Sequence, residues 1–193
     1  MKSGNDEREF MEHINLVGKP PQDLFLEQNG FIYMYGDITH DSTFEFTKSL
    51  HRCTITGSDP IHIFINSSGG VAEDAISLYD QIKLVSKSSK VKIVTIGCGD
   101  ISSGATILLQ AGDYRIMTSN SIFMVHEPSY GVEGPSSQHK DTLVGADLIA
   151  KIWLSILSRR CKDKKKVKDL FTRKESYLTA KQCLTLGLID EIT

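Results

Sequence analysis

Two segments of this chain repeat one pattern, and that pattern narrows the fold more than any other feature. Ile61–Ile65 (IHIFI) and the run from Val91 to Ile96 (VKIVTI) are β-branched and apolar, of strand length. Each gives way to glycines and serines and then to an apolar segment with helical spacing. The first leads through Asn66–Ser67–Ser68–Gly69–Gly70 into 71–87, where Ala75, Leu78, Tyr79, Ile82 and Val85 recur at threes and fours. The second is expected to end at Gly97, Cys98 and Gly99, then to pass through Ser102–Ser103–Gly104 into Ala105–Ala111, a short and almost wholly apolar helix. Strands alternating with helices in this way imply an α/β architecture with right-handed crossovers.

The remaining chain fits around these units. Residues 1–29 carry charges, Gly18 and the Pro20–Pro21 pair, and read as an arm or a lightly packed lead-in. Phe31–Ile38 is a β-rich run, and 42–53 has a rough helical face made by Phe44, Phe46 and Leu50. Tyr114–Met117 and Ser121–Val125 are expected strands, followed by His126–Glu127–Pro128 and a loop with Gly131, Gly134 and Pro135. The longest helix is expected over 138–160, with RRCKDKKKVK at its end as a solvated, dipole-compensating run of basic residues. A short strand at 176–178, a last helix at 180–186 and a closing strand at 188–192 complete the reading. No internal linker divides residues 30–193, which form a single expected domain.

Composition excludes several functions. With 193 residues, 40% hydrophobic and 24% charged, the chain has the make-up of a globular domain. A net charge of −2 gives no reason to expect nucleic acid or an anionic membrane as a partner. The four cysteines (Cys53, Cys98, Cys161, Cys183) show no C-x-x-C pair or His spacing, which argues against a metal site and suits a reducing compartment. There is no secretory h-region, no apolar run near the roughly 18 residues a bilayer span needs, and no phosphate-binding loop. A cytoplasmic chain is expected, with no cofactor of its own; any ATP-driven step would belong to a partner.

Where a strand turns sharply into a buried helix, the first helical N–H groups lie free at a cleft. A serine placed there can be aimed, and its developing oxyanion can be held by those groups, although a plain serine N-cap uses the same residue type. The turns at Ser68–Gly70 and Gly99–Ser103 each end a strand, so their N–H groups can converge. Two such donors make an oxyanion hole worth about 3–4 kcal/mol per donor in acyl transfer. His126, at the end of the SIFMV strand, is the best placed of the six histidines to act as general base for a serine. Spacing does not choose an orienting acid: Asp113, Glu127, Asp141, Asp169, Glu175 and Asp190 all remain open.

INSSGG at 65–70, the Ser-x-Gly-Ala of Ser102–Ala105 with LLQAG behind it, MVHEP at 124–128 and YLTAKQCLTLGLIDEI at 177–192 occur in this order. The combination resembles the proteolytic subunit of the Clp protease, the ClpP family of compartmentalised serine peptidases, over roughly 30–193. The resemblance implies the ClpP/crotonase fold of repeated strand–strand–helix units, with a protruding handle strand and helix at about 129–160. It implies Ser102 as nucleophile, with Ser103 the next candidate, and His126 as base. Oxyanion donors would be the backbone N–H groups of Gly70 and Ser103. Glu175 stands at the family's aspartate position, two before Tyr177, and Asp169 is the alternative. The resemblance further implies stacked heptameric rings (a tetradecamer), an AAA+ unfoldase partner and peptide or unfolded-protein substrates.

Besides Glu175, the sequence departs from the family pattern where Ser68 replaces a proline, Ser103 a common methionine and Asp100 a small neutral residue, and where the N-terminal segment lacks the arginine- and tyrosine-rich lead-in of bacterial subunits. Rival readings are a catalytically inactive partner subunit, a phage-type head-maturation protease and a crotonase-type acyl-CoA enzyme. An α/β-hydrolase is disfavoured, because DISSG lacks the first glycine of G-x-S-x-G and the order here is Ser–His–acid.

Overall fold

The computed structural model describes residues 21–129, 131 and 136–193. Most of the expected arm, residues 1–20, lies outside them; its last part, Pro21–Gln28, is a helix (α1) anchored by buried Leu24. The chain continues as β1 (Phe31–Tyr35), α2 (His40–Ile55), β2 (Ile61–Ser67), α3 (Ala72–Ser89), β3 (Ile93–Ser102) and α4 (Gly104–Gln110). It closes with β4 (Tyr114–Met117), β5 (Ile122–Val125), α5 (Ser136–Ser158), α6 (Lys164–Phe171), β6 (Ser176–Thr179), α7 (Ala180–Leu186) and β7 (Glu191–Ile192).

The sheet is seven-stranded, with order β1-β2-β3-β4-β7 and a branch in which β5 pairs with β3 and β6 with β5. Every pairing is parallel except β5–β6. This is the expected mixed α/β fold, of the ClpP type. Its core is aliphatic: Ile61, Ile63, Ile65 and Ile93 are fully buried, and so are Ile107, Leu108 and Leu109 of α4. Burying each such side chain is worth roughly 1.5–3 kcal/mol.

The branch is what positions the site, and it differs from the sequence reading. Gly97, Cys98 and Gly99 do not end β3; the strand runs ten residues, through to Ser102. Its first part pairs with β4 (Val94↔Tyr114 to Gly97↔Met117) and its last part with β5 (Asp100↔Ile122 to Ser102↔Met124). Ser121 stitches the change of partner, since its Oγ accepts from Gly99 N–H at 2.8 Å and donates to Gly97 O at 3.2 Å. Glycines inside a strand permit such a bend without side-chain conflict. The helix end also differs. The long helix stops at Ser158, and the lysines belong to a separate helix, α6, whose N-cap Asp163 accepts from Lys166 N–H at 2.9 Å. The glycine-rich strand expected before the long helix lies outside the described residues, apart from isolated positions.

Candidate active site

The β2–α3 turn is held from several directions. Ser67 Oγ accepts the Gly69 N–H at 3.0 Å, and Ser68 Oγ donates to Asp37 Oδ1 at 2.8 Å. Ile38 N–H donates to Gly69 O at 2.7 Å, and Ile38 O accepts the Val71 N–H at 2.9 Å. These bonds clamp Gly69 and Gly70 but leave the Gly70 N–H without an acceptor among the described residues. Both positions require glycine. Gly69 has φ +96°, and a Cβ there would lie 2.6 Å from Gly104 N; Gly70 has φ +151°, and a Cβ would meet Ile38 O at 2.0 Å. Ser68, which replaces the family's proline, therefore fixes the turn by a hydrogen bond where a ring would fix it by φ.

The second turn carries two consecutive serines with opposite surroundings. Ser102 is the last residue of β3, and its hydroxyl donates to Asp100 Oδ1 on the same strand face. Ser103 is the N-cap of α4, with φ 53° and ψ −120°, a backbone conformation that non-glycine residues rarely hold. Its hydroxyl lies 2.8 Å from His126 Nε2. With the ring proton on Nδ1, Nε2 accepts from that hydroxyl. The fold thus brings His126 to Ser103, and does not bring it to Ser102. Alternation along the strand decides this, since Asp100 and Ser102 share one face while Ile101 and Ser103 lie toward the other.

The backbone N–H groups left open also differ by one residue from the expected pair. Ser103 N–H is already bonded to Met124 O at 2.9 Å, which extends the β3–β5 ladder. Gly104, the first residue of α4, offers an N–H with no acceptor among the described residues, as expected at a helix start. The two turns approach closely: an added Cβ on Gly69 would sit 2.6 Å from Gly104 N, and one on Gly104 3.5 Å from Gly70 N. Gly70, Ser103 and His126 line one cavity of about 270 Å³.

The acid is less closely held. The β5–β6 pair Val125↔Ser176 puts Glu175 next in line opposite His126. Its Oε2 accepts from Tyr177 Oη at 2.9 Å, and His126 Nδ1 has no hydrogen-bond partner among the described residues. The hydrogen bond and charge of Glu175 raise the Tyr177 pKa above its ordinary value, with burial and the Asp100 charge adding to the rise. Asp169 lies on the exposed side of α6 with no bond to His126. The cysteines are not competing nucleophiles. Burial raises the thiol pKa of Cys98 and Cys161, and pushes Cys183 up to about 12.

A family model for the Clp protease matches residues 22–193. The chain belongs to the Clp protease family. Curated relatives agree across its length. The chain is 27% identical to "ATP-dependent Clp protease proteolytic subunit 3" of Rhizobium meliloti, covering 100% of this chain and 96% of the relative. It is 23% identical to proteolytic subunit 2 of Pseudomonas aeruginosa (100% and 94% covered) and 30% identical to subunit 2 of Treponema denticola (83% and 80% covered). Membership in the Clp protease family makes this a ClpP-like protease chain. None of its helices among the described residues is long and apolar enough to cross a membrane.

Sequence reasoning ranked Ser103 second to Ser102 and did not single out the Gly104 N–H. Strand parity carries the choice once β3 is seen to run through Gly97 and Gly99. Ile93, Thr95 and Ile101 are all buried on one face, and counting by twos through Gly97 and Gly99 leads to Ser103.

Proposed function

We propose that this Clp protease-family chain is a serine endopeptidase whose nucleophile is Ser103, one residue beyond the serine favoured by the sequence. The observation that carries the reading is the 2.8 Å approach of His126 Nε2 to Ser103 Oγ, on a residue held at φ 53°. His126 takes the hydroxyl proton as Oγ attacks the peptide carbonyl. The N–H groups of Gly70 and Gly104 hold the oxyanion, and His126 then returns the proton to the leaving amine. Water, activated by the same imidazole, releases the acyl group from Ser103. Glu175 is the orienting acid in this reading, turning from Tyr177 to accept from Nδ1–H.

Asp100, which stands where the family prefers a small neutral residue, is engaged by the Ser102 hydroxyl and so is held on the other strand face from Ser103. Self-assembly into rings is part of the proposal. It draws on the family and on Leu143, Val144 and Leu148 of α5, which are 51%, 62% and 56% exposed. An AAA+ unfoldase partner and a cytoplasmic location belong to the same reading.

The test is labelling of the purified chain with a fluorophosphonate. Wild type and Ser102→Ala are expected to label, while Ser103→Ala and His126→Ala are not. Labelling that survives Ser103→Ala and is lost in Ser102→Ala would return the nucleophile to Ser102. No labelling of a folded wild-type oligomer would favour the inactive partner subunit. For the acid, Glu175→Gln is expected to slow turnover strongly with assembly intact; if Asp169→Asn does so instead, the assignment moves to Asp169.

A further inference from the structure

The cavity that holds Ser103 and His126 also has a chemical character of its own. Its walls include Pro128 and, from α5, Ala146, Ile149 and Trp153, a surface suited to methylene groups. Its lining includes one acidic residue, Glu73 in the first turn of α3. The carboxylates of this turn differ in their partners. Asp74 is met by His40 Nδ1 at 2.6 Å, with His40 exposed and its pKa raised first by that hydrogen bond. Glu73 is exposed and makes no hydrogen bond or ion pair among the described residues, although its charge adds to the rise of the His40 pKa.

A carboxylate beside the apolar wall of a cavity of mixed polarity suits a long aliphatic stem ending in a cation. Trp153 adds an aromatic group to the same lining, and a cation near an indole face is further stabilised. Because the cavity begins at the serine and at the Gly70 N–H, the side chain entering it is the one attached to the attacked carbonyl. Resting on the serine-peptidase reading above, we propose that this cavity is the P1 subsite and that Glu73 makes it select lysine or arginine.

The selection stems from difference and not from affinity alone. A leucine or methionine would leave Glu73 merely solvated, whereas an acidic P1 residue would be repelled by it. Charge-assisted contacts at a partly enclosed site shift such preferences by about tenfold.

The experiment measures kcat/KM of the full-length chain on fluorogenic peptides that differ only in P1: Lys, Arg, Leu, Met and Glu. Fluorophosphonate labelling, which needs no P1 side chain, is run beside it. Lys and Arg peptides are expected to exceed Leu by about tenfold, with Glu the poorest. Glu73→Gln should remove that margin, Glu73→Asp should keep part of it, and Glu73→Arg should turn it toward the acidic peptide. An enzyme that labels but cleaves Leu or Met best overturns the P1 assignment alone, as does a basic preference that survives Glu73→Gln. Absence of labelling overturns both this assignment and the peptidase reading beneath it.

Discussion

Arg115 on β4 and Ser103 at the end of β3 both sit in polar clusters against the same sheet, and they are bonded to opposite degrees. Arg115 is 2% exposed, yet its donors are accounted for. Nε and Nη2 grip the two oxygens of Asp190 at 3.0 and 2.8 Å, Nη2 also reaches Gly187 O at 2.9 Å, and Nη1 donates to Gln110 Oε1. Gln110 in turn donates to Leu188 O at 3.0 Å. Around Ser103 the balance is reversed. The N–H groups of Gly70 and Gly104 and the Nδ1 of His126 have no partner among the described residues, and the serine backbone is strained. A buried cation must be saturated, because an unmatched charge in the interior costs several kcal/mol. Donors left open beside a cavity are free to meet a charge that appears only during reaction. The first cluster joins the C-terminal segment to the sheet; the second is the one the proposed function uses for chemistry.

The sharpest break of this contrast is Ser103→Ala, expected to lower peptide turnover by about 10⁴-fold or more with the melting temperature nearly unchanged. Ser102→Ala should stay within a few-fold of wild type, so steady-state kinetics on one short peptide separates the two serines. Next is Asp190→Ala, which leaves a buried guanidinium without its carboxylate and should cost about 3–5 kcal/mol in urea unfolding. If that variant is as stable as wild type, the Arg115 cluster is not the structural tie it resembles.

The same pair fixes a pH dependence. Burial alone would raise the Asp190 pKa, but the Arg115 hydrogen bonds and charge override it and hold it below the ordinary 3.8. A carboxylate depressed in the folded state contributes stability above its unfolded pKa and loses it as pH falls through the folded value. Wild type should therefore lose stability below about pH 4, and Asp190→Asn should show a flatter acid limb in a melting-temperature series. Gly70→Ala tests the open donors: the Cβ would meet Ile38 O, so the turn must shift, and kcat should fall by about 10²–10³-fold. The smallest effect is Ser68→Ala. It removes one exposed hydrogen bond to Asp37, worth about 0.5–1 kcal/mol, and is expected to lower kcat a few-fold with KM little changed.

Much of this was legible in the residues. The two strand–turn–helix units, the glycines at 69 and 70, and His126 at a strand end follow from apolar periodicity and from the few residue types that tolerate such turns. The choice between adjacent serines was not. It depends on where β3 ends, and β3 continues past Gly97 and Gly99 because β5 supplies a second partner for its last residues. Local propensity contains no information about that partner, since Gly-Cys-Gly reads as a break unless a neighbouring strand takes up its backbone groups. Likewise RRCKDKKKVK reads as one helix end, until Asp163 caps a new helix that packs Val167 and Leu170 inward.

By itself, then, the sequence determined the class of fold, the turns at which backbone donors gather, and the kind of chemistry a serine and a histidine there can perform. It did so because hydrophobic period and glycine placement act within a few residues along the chain. The tertiary structure alone decided which hydroxyl meets His126, which N–H groups stay open, and that Glu73 shares the serine's cavity. Those are matters of strand pairing and of parity across a sheet, where a shift of one residue sends a side chain to the opposite face.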